Sequence, residues 1–162
     1  MIRSIIMITV CTMTLNGKEY APNWESLDSR ETPEWFKDAK FGIFIHWGLY
    51  SVPSWGPKGS YAEWYLNGLN NGDTARLRYH HTNYGNDFPY WKFIDLFKAE
   101  NYDPDSWAAI FKKSGAKYVV LTSKHHDGFC LWPSRESKGY NSVNGAAGRD
   151  LLGELNTSFL II

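Results

Sequence analysis

The stretch from Asp103 to Thr122 restricts the folds open to this chain more than any other. Asp103 can cap a helix, Pro104 suits its first turn, Trp107 to Lys113 carry it on, and Gly115 follows as a C-cap. Tyr118-Val119-Val120-Leu121-Thr122 then runs on without polar alternation, the pattern of a strand buried on both faces of a parallel sheet. A helix feeding such a strand is half of a repeating βα unit. In α/β folds, chemistry gathers at the C-terminal ends of the strands. Lys124-His125-His126-Asp127-Gly128-Phe129 stands where this strand runs out.

A second strand end carries the same kind of signal. Thr32-Pro33-Glu34-Trp35-Phe36 opens a short helix, and Phe41-Gly42-Ile43-Phe44-Ile45 reads as a buried strand that finishes at His46-Trp47-Gly48. A turn-rich loop, Ser51-Val52-Pro53-Ser54-Trp55-Gly56-Pro57, and Tyr61-Ala62-Glu63-Trp64-Tyr65 come next. A single histidine such as His46 is most often a hydrogen-bonded structural residue. With His125 and His126 at a neighbouring strand end, the three read as a ligand site. Aromatic residues make up 17% of the chain, with eight Trp and ten Tyr, and many fall in loops. Their faces stack on the C–H faces of a pyranose while His, Glu and Trp N–H groups bond its hydroxyls. Packing is the competing use of Trp47, Trp55 and Trp64; their loop positions favour the site.

Other features exclude more than they assign. Lys+Arg and Asp+Glu stand at 17 each, so the formal net charge is zero, and the chain has no polyelectrolyte footprint for nucleic acid. His80-His81 lies in a polar stretch, Arg76 to Asn86, that reads as a solvated loop. A helix from Phe88 follows, with Tyr90, Phe93, Ile94 and Phe97 as its apolar face. Cys11 and Cys130 support no disulfide framework. Residues 1–20 read as a leader: Arg3 precedes Ile5-Ile6-Met7-Ile8-Thr9-Val10, an apolar run of signal-peptide type, too short for a transmembrane helix. The expectation is a secreted, periplasmic or lysosomal protein with no stable membrane insertion.

Trp35 to Gly48, the Ser51-Val52-Pro53-Ser54-Trp55 loop, Glu63-Trp64-Tyr65 and Lys124 to Phe129 together resemble the N-terminal part of the α-L-fucosidases of glycoside hydrolase family 29. The likeness runs from about Trp24 to Asn156, with the motifs in order and at family-like spacing, and Arg149-Asp150-Leu151-Leu152-Gly153-Glu154-Leu155 looks like the family's next helix start. The resemblance implies an α/β fold, the N-terminal part of a (β/α)8 barrel. It implies a retaining exo-hydrolase that removes terminal α-linked L-fucose from fucosylated glycans and needs no cofactor. Carried across by position, His46, His125 and His126 hold the fucose hydroxyls, and Glu63 and Trp64 contact the same sugar. Asp127, Gly128 and Phe129 shape the loop.

None of these five contacts is the nucleophile or the acid/base. Retaining glycosidases need two carboxyl groups about 5–5.5 Å apart; the resemblance puts the nucleophilic aspartate and the acid/base on later strands, beyond residue 162. A (β/α)8 barrel takes about 250 residues, so residues 21–162 read as an incomplete catalytic domain, truncated after about two to three βα units. Thr157 to Ile162 reads as an apolar, β-branched tail that would leave an uncovered strand edge. The expectation is that the isolated chain neither hydrolyses fucosides nor folds cooperatively. Two alternatives stay open. One is a barrel hydrolase with zinc on His46, His125, His126 and Glu63; the other is a non-catalytic fucose-binding fragment.

Overall fold

A computed structural model describes residues 19–161; the leader expected over residues 1–20 therefore lies almost wholly outside the described residues. The chain divides into two compact units after Asp38. The first unit holds two short helices, α1 (Trp24–Asp28) and α2 (Glu34–Asp38). The Asn23 side chain caps α1 by accepting from the Ser26 N–H at 2.8 Å. Pro33 precedes α2, as the sequence leads one to expect.

In the second unit, two parallel strands, β1 (Gly42–Ile45) and β2 (Tyr118–Leu121), pair Gly42 with Tyr118 and Ile45 with Leu121. A Cβ at Gly42 would stand 2.3 Å from the Tyr118 ring, so any side chain there would displace that ring. The crossover between the strands holds α3 (Tyr65–Asn70), α4 (Thr74–Tyr84) and α5 (Pro104–Ser114); α6 (Leu151–Ile161) follows β2. As expected, Asp103 caps α5, accepting from the N–H groups of Asp105 and Ser106 at 3.1 and 3.3 Å, and Gly115 ends it at φ +84°.

Four expectations need correction. The strands are not buried on both faces: Phe44 is 65% exposed and its partner Val120 36%. Among the described residues the sheet has two strands, and no layer covers the face these side chains share. The polar stretch from Arg76 is a helix and not a loop. Asp73 starts α4 by accepting from the N–H groups of Ala75 and Arg76 at 3.0 and 3.1 Å, and Gly85 ends it. The segment after Phe88 is a 3-10 helix, Tyr90–Asp95, although its apolar face is placed as expected, with Tyr90, Phe93 and Phe97 buried. Finally, Thr157 to Ile161 continues α6 instead of forming an apolar strand edge. Leu151, Leu155 and Ser158 are buried at helical spacing, and the Ser158 hydroxyl donates to Asp105 of α5 at 2.6 Å. Packing on α5 thus overrides β-branched propensity.

The core is aromatic, built around Tyr65, Tyr90, Phe93, Phe97, Tyr102 and Phe129. It lies beside the carboxyl ends of both strands and backs the loops that follow them.

Candidate functional site

The loop after β2 is fixed from below. The Gly128 N–H donates to the His125 carbonyl at 3.0 Å, closing a tight turn that Gly128 permits at φ +82°. Asp127 then secures it twice, accepting from the Phe129 N–H at 3.1 Å and from the buried Tyr90 hydroxyl at 2.7 Å. Phe129 is 2% exposed and anchors the turn edge-on against Phe97. Asp127 and Phe129 thus shape the loop, the part the sequence gives them.

The turn sets its two histidine rings edge-on to each other, 4.9 Å between centroids with planes 80° apart. His125 packs edge-on against His46 at 5.6 Å between ring centroids, so the two strand ends meet through imidazoles. It also meets Trp64 at 5.8 Å and the buried Tyr50 at 5.2 Å. His126 stacks on Trp64 at 5.0 Å and 27°. Glu63 and Trp64 sit on a short 3-10 helix, Ala62–Trp64, that leads directly into α3.

Glu63, Trp64, His125 and His126 line one cavity of about 190 Å3, with Leu66, Asn67, Asn70 and Asp127 completing it. His46 does not line it; the ring is exposed and joins through His125. The volume falls below the ~300–1,000 Å3 of drug-sized sites, which suits a ligand of one ring. A larger groove, about 450 Å3, runs along Trp47, Phe97, Tyr102 and Trp107. Its charged residues Lys98 and Glu100 pair with each other at 3.5 Å, and none of the convergent histidines reaches it.

Burial pushes His125 below its ordinary pKa near 6.5, with Asp127 opposing and His126 and His46 reinforcing the shift. A neutral imidazole offers one donor and one acceptor. Burial, then the Asp127 charge, raises Tyr50, Tyr90 and Tyr140, so their hydroxyls stay protonated. The cavity therefore offers an indole face, imidazoles, amides and a Glu63 carboxylate, a set suited to a neutral polyol ring. Asp127 is already committed to Tyr90 and Phe129, leaving Glu63 as the cavity's one carboxylate outside such a clasp. Among the described residues, no group of three or more His, Cys, Asp or Glu is arranged to hold a metal ion.

Trp47 and Trp55 belong to packing. Trp47 lies among Phe97, Tyr102 and Trp107, and Trp55 stacks flat on Tyr79 at 4.3 Å. His80 is likewise structural and not solvated. It is 4% exposed, and its Nε2 donates to the Phe88 carbonyl at 2.7 Å, leaving Nδ1 to meet the Tyr65 hydroxyl at 3.1 Å. Sequence reasoning missed Asn67, Asn70 and Tyr50. The asparagines were findable, because Glu63, Asn67 and Asn70 recur at helical spacing on one face. Tyr50 left no such signal.

The fold gathers imidazoles, an indole and a carboxylate at the carboxyl ends of two parallel strands. The family model described as Alpha-L-fucosidase matches residues 7–160, and the chain belongs to the α-L-fucosidase family. It is 45% identical to the α-L-fucosidase of Dictyostelium discoideum over 157 residues, 95% of this chain and 34% of that one. Against the tissue α-L-fucosidase of Bos taurus the identity is 48% over 139 residues, 86% of this chain and 29% of that one. The crystal structure of Thermotoga maritima α-fucosidase in complex with fucose is similar at a TM-score of 0.81 and 50% identity, covering 88% of this chain and 35% of that one. The chain thus spans about a third of the length of these relatives.

Proposed function

We propose that this chain forms the first strands and sugar-holding wall of the (β/α)8 catalytic domain of a retaining, exo-acting α-L-fucosidase. The observation that carries the reading is the convergence of His46, Glu63, Trp64, His125 and His126 at the carboxyl ends of two parallel strands. Trp64 gives a ring face to the C–H side of a terminal α-linked L-fucose. His125, His126 and His46, with Glu63, bond its hydroxyls. Retention requires a second carboxyl group about 5–5.5 Å from the first, and the cavity's other carboxyl, Asp127, is taken up by the Tyr90 hydroxyl and the Phe129 N–H. The nucleophile and the acid/base come from later strands of the barrel, and this chain by itself binds fucose without hydrolysing it. The apolar run near the N-terminus directs such an enzyme to an exported or lysosomal compartment.

The test is a hybrid in which residues 39–161 replace the matching segment of the Thermotoga maritima enzyme. Turnover of an aryl α-L-fucoside by the hybrid, and none by the 162-residue chain, is the expected pair of results. A folded hybrid without fucosidase activity, or robust turnover by the short chain, overturns the reading.

A further inference from the structure

Nearly all of the Arg76 side chain is inside the protein, with 5% exposed, and burying a guanidinium is costly without partners. Its partners lie on two sides, at the start of α4 and on the arm that carries Glu63 and Trp64. Nη1 pairs with the Asp73 carboxylate at 2.5 Å. Nη2 donates to the Ser60 hydroxyl and to the Tyr61 carbonyl, the latter at 3.0 Å. That same carbonyl accepts from the Trp64 N–H at 3.3 Å, the bond that starts the 3-10 helix holding Glu63 and Trp64. Arg76 therefore grips the oxygen on which the arm turns. Its path to that oxygen crosses α3 at Gly68, where a Cβ would stand 2.3 Å from Arg76 Cδ. Asp73 caps α4 with its other oxygen, so the guanidinium is anchored to a helix start on one side and to the arm on the other. A planar fork reaches two oxygens at once in a way an ammonium does not.

We infer that Arg76 is the positioning residue of the Glu63–Trp64 arm: through Tyr61 and Ser60 it sets where the carboxylate and the indole stand over the sugar. The inference rests on the fucose reading above and adds a group that never touches the ligand. It also gives Gly68 a role, since any side chain there displaces the guanidinium.

The experiment measures L-fucose affinity of the full 162-residue chain by calorimetry, with near-ultraviolet circular dichroism to check folding. Arg76→Lys keeps the charge and loses the fork; it should weaken binding about tenfold. Ser60→Ala removes one arm contact on an exposed residue and should weaken binding about threefold. A general loss of structure would combine multiplicatively with Glu63→Gln. Positioning requires instead that Arg76→Lys with Glu63→Gln fall short of the product of the two, because both changes act on the same contact. The imidazole signals of His126 should also move in Arg76→Lys as the Trp64 stack is released. If the unmodified chain binds and a folded Arg76→Lys keeps its affinity and its His126 signals, the inference fails while the fucose reading stands. If Arg76→Lys does not fold, Ser60→Ala decides, and unchanged affinity there overturns the inference. If the unmodified chain binds no fucose, both fall together.

Discussion

His125 and His126 are adjacent and both meet Trp64, but His125 does so edge-on and also reaches His46 and Tyr50, while His126 stacks on the indole face. The environment of His125 has a consequence that can be measured. Held below its ordinary value near 6.5 by burial, His125 takes up its proton less readily in the folded chain than in the unfolded one. Its share of stability is complete above about pH 6.5 and is lost as pH falls from there toward the lowered value. The thermal midpoint should drop on acidification through this window, and His125→Gln should flatten that part of the profile; an unchanged slope would refute it. Glu63 carries the second prediction at this scale. In the hybrid enzyme, Glu63→Ala should lower kcat/KM about 10–100-fold, the loss of a charged hydrogen bond to the sugar. A fucosyl-enzyme should still be trapped by a mechanism-based fluoride. Complete loss of trapping would make Glu63 a reacting group and contradict its role in binding.

Among the elements, legibility in the sequence followed the strength of local signals. Both ends of α5 were readable because Asp103, Pro104 and Gly115 each use a capping device that needs no tertiary partner. The strand ends were readable because apolar runs stop there abruptly at His46 and after Thr122. α4 was not: it is polar nearly all round and shows no apolar stripe, and its only local marks are the Asp73 cap and Gly85. What makes it part of the fold is buried polar chemistry, Arg76 toward the arm and His80 between Tyr65 and Phe88. Pattern reading also misassigned Trp47 and Trp55, since loop position says nothing about which way an indole points. Thr157 to Ile161 misled for the opposite reason, an apolar composition held helical by contacts with α5. The contrast between two neighbouring histidines tests this account of α4. His80→Ala leaves the Tyr65 hydroxyl and Phe88 carbonyl without their partner and should cost about 2 kcal/mol or more in urea unfolding. His81 is exposed, and His81→Ala should change stability by no more than about 0.5 kcal/mol. Equal effects would mean that the His80 bonds contribute nothing net.

At the scale of the whole molecule, the described residues combine an aromatic core under the site with a two-stranded sheet whose Phe44 and Val120 are open to solvent. The core buries Tyr65 and Phe93 completely, whereas a two-stranded sheet is marginal on its own. Calorimetry of the 162-residue chain should therefore show a broad transition, with the sheet melting ahead of the core; one sharp peak would contradict this uneven distribution of packing. The most direct test of the central claim is a titration of the same chain with L-fucose, observing the imidazole signals of His46, His125 and His126 and the indole of Trp64. Saturable shifts at those residues, absent with D-fucose, are expected. Shifts that never saturate, or that fall instead on Trp47 and Trp107 in the larger groove, would contradict the assignment of the sugar to this cavity.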